Sequence, residues 1–359
     1  MNAERIKDIL RPAKRGLSSV IEKLDLKILP VFALNGFLAS VYFTFINRSF
    51  YREHLSVLRG RLNYSTSLAE IGSSSALLRR NTHRLEKGLI MQPRRKVFAK
   101  AYIGETVDCY ARCLSSGTVD SEEMRWAHDV ISEYFSVVAD DEPVIERYKK
   151  KYQDLNCCEN NPASDGSQEA KPYAHRDLPR LAVDYPSLHS LFQRRRSVRW
   201  YQNKRVSKEL VEQAVNAASL APSACNRQPY RFVFFEQPQE AADVAALAMG
   251  TAGFGKQIPS LFVAIGDLSC YPKGRDRHVI YIDASLAAMQ LMLALETLGL
   301  SSCPINWPDI EGRERKMAKR LGLGSHERVV ILIACGYAEN EGGVPFSQKK
   351  DATSLLQAC

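Results

Sequence analysis

The 359-residue sequence lacks most of the signatures that announce a catalytic chemistry. It has no CxxC pair, no Cys/His grouping at zinc spacing and, among its seven histidines, no HExxH, so no metal site is expected. The absence of GxSxG and of a P-loop argues against hydrolase and kinase readings. Gly250, Gly253 and Gly255 give a loose GxxGxG that lacks the strand, turn and helix of a dinucleotide fingerprint, and they read as a Gly-rich turn. The nine cysteines are odd in number and read as reduced thiols in a cytosolic setting. An excess of positive charge is also missing from most of the chain. Residues 101–359 hold 30 Lys/Arg against 33 Asp/Glu, whereas residues 1–100 hold 19 against 7. The net charge of +9 therefore belongs to the N-terminal part, which points to an anionic surface as partner, and a membrane is preferred to nucleic acid.

The preference for a membrane comes from residues 28–47, ILPVFALNGFLASVYFTFIN, which carry no charge between Lys27 and Arg48. That length matches the roughly 20 residues a helix needs to cross a bilayer, but Pro30, Asn35, Gly36, Ser40 and Thr44 weaken it. A span or re-entrant anchor, an interfacial helix and a helix buried in the protein all remain open. Residues 1–27 place Ile6, Ile9, Leu10, Leu17, Val20, Ile21 and Leu24 at near-helical spacing among lysines and arginines, as in amphipathic helices that lie on a bilayer.

Four regions are expected: a membrane-associating segment over 1–60, a helical region over 61–155, a linker over 156–183 and an α+β domain over 184–359. Within the helical region, Asn81-Thr-His-Arg-Leu-Glu-Lys-Gly88 puts His83, Glu86 and Lys87 on one helix face. This is either an ion-paired helix end with Gly88 as its cap or one wall of a ligand pocket. In the C-terminal domain, helices are predicted at Leu188 to Arg196, from a Ser207 cap to Leu220, near 239–249, over Ile280 to Leu298 and over Asp309 to Leu321. Strands are predicted at 231–236, 260–267, 302–305 and 328–336. Three of them are nearly all apolar and so are expected at the centre of a sheet covered on both faces. Met289, Met292, Cys303 and Cys335 are expected in the core.

The stretch with most chemistry is Arg194 to Phe234. It opens with four arginines around Ser197, a set suited to a phosphate monoester. It closes on Pro222, Ser223, Asn226 and Gln228, an amide-rich loop suited to the edge of a flat heterocycle. Together they suggest a phosphorylated aromatic cofactor.

RRSVRWY at 195–201, APSACNRQPYRF at 221–232, LGLSSCPINW at 298–307 and IACGYA with a basic tail at 333–350 resemble, in order, motifs of the nitroreductase-like, FMN-dependent oxidoreductases. The helical region with HRLEKGL also resembles members associated with surface polysaccharide synthesis. The resemblance implies an α+β fold with a central mixed sheet flanked by helices, preceded here by the helical region. It further implies a homodimer with FMN at the interface and NAD(P)H as co-substrate. By the same resemblance Arg195 and Ser197 hold the phosphate and ribityl chain with Arg196 adjacent at the cofactor, and Arg199 stands near the pyrimidine edge. Pro222, Ser223, Asn226 and Gln228 reach the cofactor of the partner subunit. Pro304, Ile305 and Asn306 pass the ring, and Ser347, Lys349 and Lys350 close on the phosphate, with lysines where an arginine is usual. Asn306-Trp307 replaces a common Glu-Gly, and Trp307 is expected to narrow the substrate face. The catalytic side chain is not assigned; Tyr201 and His83 are the candidates for an acid.

The expected activity is hydride transfer from NAD(P)H through FMN to a small-molecule acceptor, with a role in polysaccharide synthesis. A flavin oxidase or desaturase of a sugar or lipid-linked intermediate, and a non-catalytic membrane-associated scaffold, are the alternatives. The expected location is cytoplasmic, at the inner membrane.

Overall fold

The computed structural model describes residues 24–67, 71–139, 142–156 and 169–357. The expected amphipathic helices of the first 23 residues, residues 157–168 of the expected linker and Cys359 lie outside them. The chain divides into two compact units, one ending at Leu55 and one beginning at Ser56.

In the first unit, helical residues 24–32 (α1) are followed by α2 (Gly36–Val41), which continues as a π-helical turn over Tyr42–Ile46. The uncharged run is therefore not one helix. Asn35 ends it as a continuous rod: its extended backbone cannot carry a helix, and its side chain caps α2 by accepting from the Leu38 N–H at 3.0 Å. α3 (Tyr51–Ser67) begins in this unit, and its residues from Ser56 on belong to the second.

The second unit holds the helical region and the sheet domain. α4 (Ala76–Leu89), α5 (Ile103–Ser116), α6 (Ser121–Val137) and α7 (Pro143–Asn156) surround Leu78, Leu85, Ile103, Tyr110, Ile131 and Tyr134, all fully buried. Gly88 does not cap α4, which runs on to Leu89 with Ile90 as C-cap. It is glycine because the Phe98 ring lies where a side chain would be: a Cβ there would stand 2.4 Å from two ring carbons.

The sheet has four strands, β1 (Tyr230–Phe235), β2 (Ser260–Asp267), β3 (Ser301–Asn306) and β4 (Glu327–Gly336), in the order β1-β2-β4-β3. These pair antiparallel throughout; the parallel component is a bridge from Ser197 to Ser302 on the outer side of β3. Leu261, Val263 and Ile265 of β2 and Leu332 and Ala334 of β4 face one core, with Val244 of α10 (Pro238–Ala245) and Met317 of α12 (Glu311–Leu321). Phe262, Ile333 and Cys335 face the other, with α9 (Lys208–Ser219) and α11 (Val279–Thr297). Helices on both faces explain why β2 and β4 read as continuous apolar runs. β1, expected at the centre, lies at an edge of this sheet, and its residues are only partly buried. α11 is long and apolar enough to cross a membrane, but it packs along α9 and the sheet.

Candidate functional site

The arginine segment follows α8 (Tyr185–Arg194), whose C-cap is Arg195. It runs beside β3, with the Val198 N–H donating to the Ser302 carbonyl at 3.0 Å. Arg194 Nε lies 3.0 Å from Glu296 Oε1, a carboxylate near the end of α11. Burial raises the Glu296 pKa, opposed by Arg194 and Arg195. Arg199 Nη1 donates to the Ser197 carbonyl at 3.1 Å and its guanidinium lies over the Phe254 ring, while Gln257 Nε2 holds the Arg199 carbonyl at 2.9 Å. Burial likewise raises the Cys303 thiol on β3, opposed by Arg199 and Arg195.

After β4 the chain turns back along the same segment. Gln202 N–H donates to the Tyr337 carbonyl and Glu339 N–H to the Trp200 carbonyl, both at 2.9 Å. Arg196 Nη2 then donates to the carbonyls of Pro345, at 2.8 Å, and Phe346. This anchors the tail immediately before Ser347, Lys349 and Lys350, all exposed. Ser197 and Val198 thus lie along β3, the edge strand that also carries Pro304, Ile305 and Asn306, and Arg196 holds the tail at Pro345 and Phe346. The Ser302 hydroxyl beside them is buried without a hydrogen-bond partner.

The amide loop stands elsewhere. Tyr230, just after it, pairs with Gly266 at the C-terminal end of β2, whereas Ser260 at the other end pairs with Cys335 next to Gly336 and Ser301. At about 3.4 Å per residue, the eight residues of β2 separate the two ends by roughly 24 Å. The loop is built tightly. Cys225, Asn226 and Gln228 have φ of 53, 50 and 48°, a left-handed backbone that costs non-glycine residues energy. Three contacts hold it there: Gln228 N–H donates to Ser223 Oγ at 3.0 Å, Ala224 N–H to Asp283 Oδ2 at 2.9 Å, and Arg79 Nε of α4 to the Asn226 carbonyl at 2.9 Å. Pro222 precedes this knot and is exposed.

Asp283, Glu296, Gln257 and Arg79 are site-building residues that the motifs did not single out. The carboxylates had a signal: they are the acidic residues within the otherwise apolar α11. Arg79 had none, since its partner is a backbone carbonyl 147 residues away.

Trp307 does not project over the site. It is 8% exposed, packed in the core with Met317, and its indole N–H donates to Glu314 Oε1 at 2.7 Å. Glu314 lies in turn 3.8 Å from Arg328 Nη2. The buried carboxylate turns the indole inward. Met289 is 40% exposed rather than in the core, whereas Met292 is buried. Tyr201 is no proton donor: its hydroxyl donates to the Val198 carbonyl at 2.7 Å, and burial raises its pKa well above that of a free phenol. His83 Nδ1 lies 3.2 Å from Glu86 Oε2 on α4, as the ion-pair reading expects.

The nitroreductase family model matches residues 192–261 and 246–337, the segment that carries the arginine cluster, the amide loop and all four strands. A protein of Archaeoglobus fulgidus named as an NADH dehydrogenase/NAD(P)H nitroreductase is 31% identical over 156 residues, which cover 41% of this chain and 83% of that protein. The chain belongs to the nitroreductase family. Iodotyrosine deiodinase 1 of Homo sapiens is 22% identical over 255 residues, covering 61% of this chain and 86% of that protein. Among solved structures, an FMN-dependent nitroreductase of Clostridium difficile is 25% identical, covering 46% of this chain and 96% of that one, with a TM-score of 0.40. The family model's match begins at residue 192, C-terminal to α4 to α7.

Proposed function

We propose that this nitroreductase-family chain is an FMN-dependent oxidoreductase that takes a hydride from NAD(P)H and delivers it to a small-molecule acceptor, working as a homodimer. The observation that carries the proposal is the separation of two built half-sites on one chain. A phosphate-type cluster lies at one end of the sheet and a strained amide loop at the other, roughly 24 Å away, too far for one small cofactor to use both within a subunit. A two-fold partner brings each loop to the other chain's arginines. The exposed apolar stripe Ile282, Leu286 and Met289 on α11, between the half-sites, supports such a partner, as do Tyr185 and Phe192 on α8.

The residues present fit FMN. Arg195, Arg196 and Ser197, with Ser347, Lys349 and Lys350, would hold the phosphate and ribityl chain, and the partnerless Ser302 hydroxyl adds a polar group there. Pro222, Ser223, Asn226 and Gln228 of the second subunit would meet the ring edge, and Pro304, Ile305 and Asn306 would line its path. Bound FMN supplies a ring that accepts a hydride equivalent and gives it up again. Arg199 would contribute a fixed positive charge to offset the negative charge that a reduced ring carries. Phe254 and Gln257 keep that guanidinium and its backbone in place.

The proposal extends to location and acceptor. The basic N-terminal segment holds the enzyme at the cytoplasmic face of the inner membrane, supported by 19 Lys/Arg against 7 Asp/Glu in residues 1–100. The acceptor is a small molecule, and the reaction serves surface polysaccharide synthesis, a reading supported by the resemblance of the HRLEKGL helix to members associated with that process. Anaerobic titration with NADH and NADPH tests the reaction. Prompt loss of the flavin colour is expected; colour lost only on adding a sugar substrate would assign the chain to the oxidases instead.

A further inference from the structure

As a single helix, the uncharged run 28–47 would reach about 30 Å, the thickness of a hydrocarbon core. It is folded into a hairpin instead. Ala33 and Leu34 form the turn, Asn35 caps the second arm, and Tyr42 of the second arm, 2% exposed, ties it to the first. The Tyr42 hydroxyl donates to Asp25 at the base, and its ring lies 5.5 Å from that of Phe32.

The tip is apolar and open. Val31, Leu34 and Phe37 are 56, 73 and 76% exposed, and Phe45 on the second arm 74%. The base is cationic: Lys27, Arg48 and Arg52 flank the hairpin, and no Asp or Glu lies between Asp25 and Glu53. Three polar groups inside the run find partners within it or close by. Asn35 Oδ1 accepts from Leu38 N–H, Ser40 Oγ donates to the Gly36 carbonyl at 2.8 Å, and the Thr44 carbonyl accepts from the Tyr51 hydroxyl. An apolar solvent demands that pattern, because water is not there to satisfy them.

Length decides the depth. From Lys27 to Leu34 the first arm rises about 10 Å, and the second rises about 8 Å from Gly36 to Val41, at 1.5 Å per residue, before its π-helical turn leads to Arg48. Half of a hydrocarbon core is about 15 Å. We propose that this hairpin enters one leaflet of an anionic phospholipid bilayer tip first, its basic collar at the headgroups, without crossing. The inference rests on the membrane attachment proposed above and specifies its form.

The test uses the full-length protein, unilamellar vesicles of phosphatidylcholine with phosphatidylglycerol, and the variant Phe37→Trp. The protein should float with these vesicles at least several-fold better than with phosphatidylcholine alone. The indole introduced at the tip should be quenched by bromines on the acyl chains and not by iodide trapped inside the vesicles. No flotation overturns the attachment and the insertion together. Flotation without acyl-chain quenching overturns the insertion and leaves the attachment standing, and quenching by the trapped iodide shows a crossing segment. Leu34→Asp with Phe37→Asp should reduce flotation at least tenfold at unchanged oligomeric mass in solution. A drop in that mass would make the tip a contact between protein copies and contradict the proposal.

Discussion

Asp283 and Glu296 stand on the same face-spanning helix, α11, about 20 Å apart at 1.5 Å per residue, and each secures a different half of the candidate site. Asp283 accepts from the Ala224 N–H of the amide loop, and Glu296 pairs with Arg194 beside the cation cluster. The helix acts as a ruler that keeps the halves apart, and its exposed stripe is the surface through which the proposed dimer would bring two such halves together. Leu286→Glu with Met289→Glu places charges on that stripe. The double variant should run as a monomer in light scattering and lose most of its FMN, while far-UV circular dichroism stays native. A dimer mass that does not change would reject the stripe as the interface.

Burial holds the Asp283 carboxyl above its ordinary value, with the Ala224 N–H, the Tyr271 hydroxyl and Arg227 opposing the shift. The folded state therefore binds this proton more tightly than the unfolded chain. Its contribution to stability is complete below the usual carboxylate pKa of about 3.9 and is lost as pH rises through the raised value. Asp283→Asn removes the linkage and keeps an oxygen for the Ala224 N–H. The melting temperature of the variant relative to the parent should climb between pH 4 and pH 7; a flat difference would mean that Asp283 does not titrate in that window.

Arg79 joins α4 to the candidate site. Besides the Asn226 carbonyl it holds Glu123 Oε2 at 2.9 Å, and that carboxylate also accepts from the Ser75 N–H at the start of α4. Arg79→Ala removes a charge-assisted bond from a loop in a costly backbone conformation. Stability should fall by about 1–3 kcal/mol, and FMN should bind on the order of tenfold more weakly. Arg79→Lys keeps the charge but not the planar fork and should rescue the melting temperature more than the FMN affinity. Calorimetry and flavin fluorescence titration read the two effects separately.

Trp307 serves the core, so its replacement should cost stability rather than change the choice of acceptor. Trp307→Phe leaves Glu314 without the indole donor and should lower stability by about 1–2 kcal/mol in urea denaturation. The ratio of kcat/KM between two acceptors should stay within twofold of the parent. A large shift in that ratio would return Trp307 to the substrate face.

Much of this fold was legible because local patterns determined it. The Ser207 cap, the apolar strand 260–267 and the long helix ending at Gly299 lie where spacing placed them. What pattern could not supply was the partner of each residue. Gly88 looks like a helix stop until Phe98 is seen above it, and Trp307 looks like a surface departure until Glu314 is seen beneath it. β1 has the apolar run of an inner strand yet lies at the edge, because a run of Phe and Val reports burial without saying what covers it. The arginine cluster was legible as a group, but its nearness to the tail depends on Arg196 reaching carbonyls about 150 residues away.

The most direct test of the central claim is the flavin content of the purified chain and of Arg195→Ala with Ser197→Ala. The parent protein should be yellow with one FMN per subunit, and the double variant should keep its fold and oligomeric state but lose nearly all of its flavin. A colourless parent protein that takes up no added FMN, or a double variant with full occupancy, would contradict that claim.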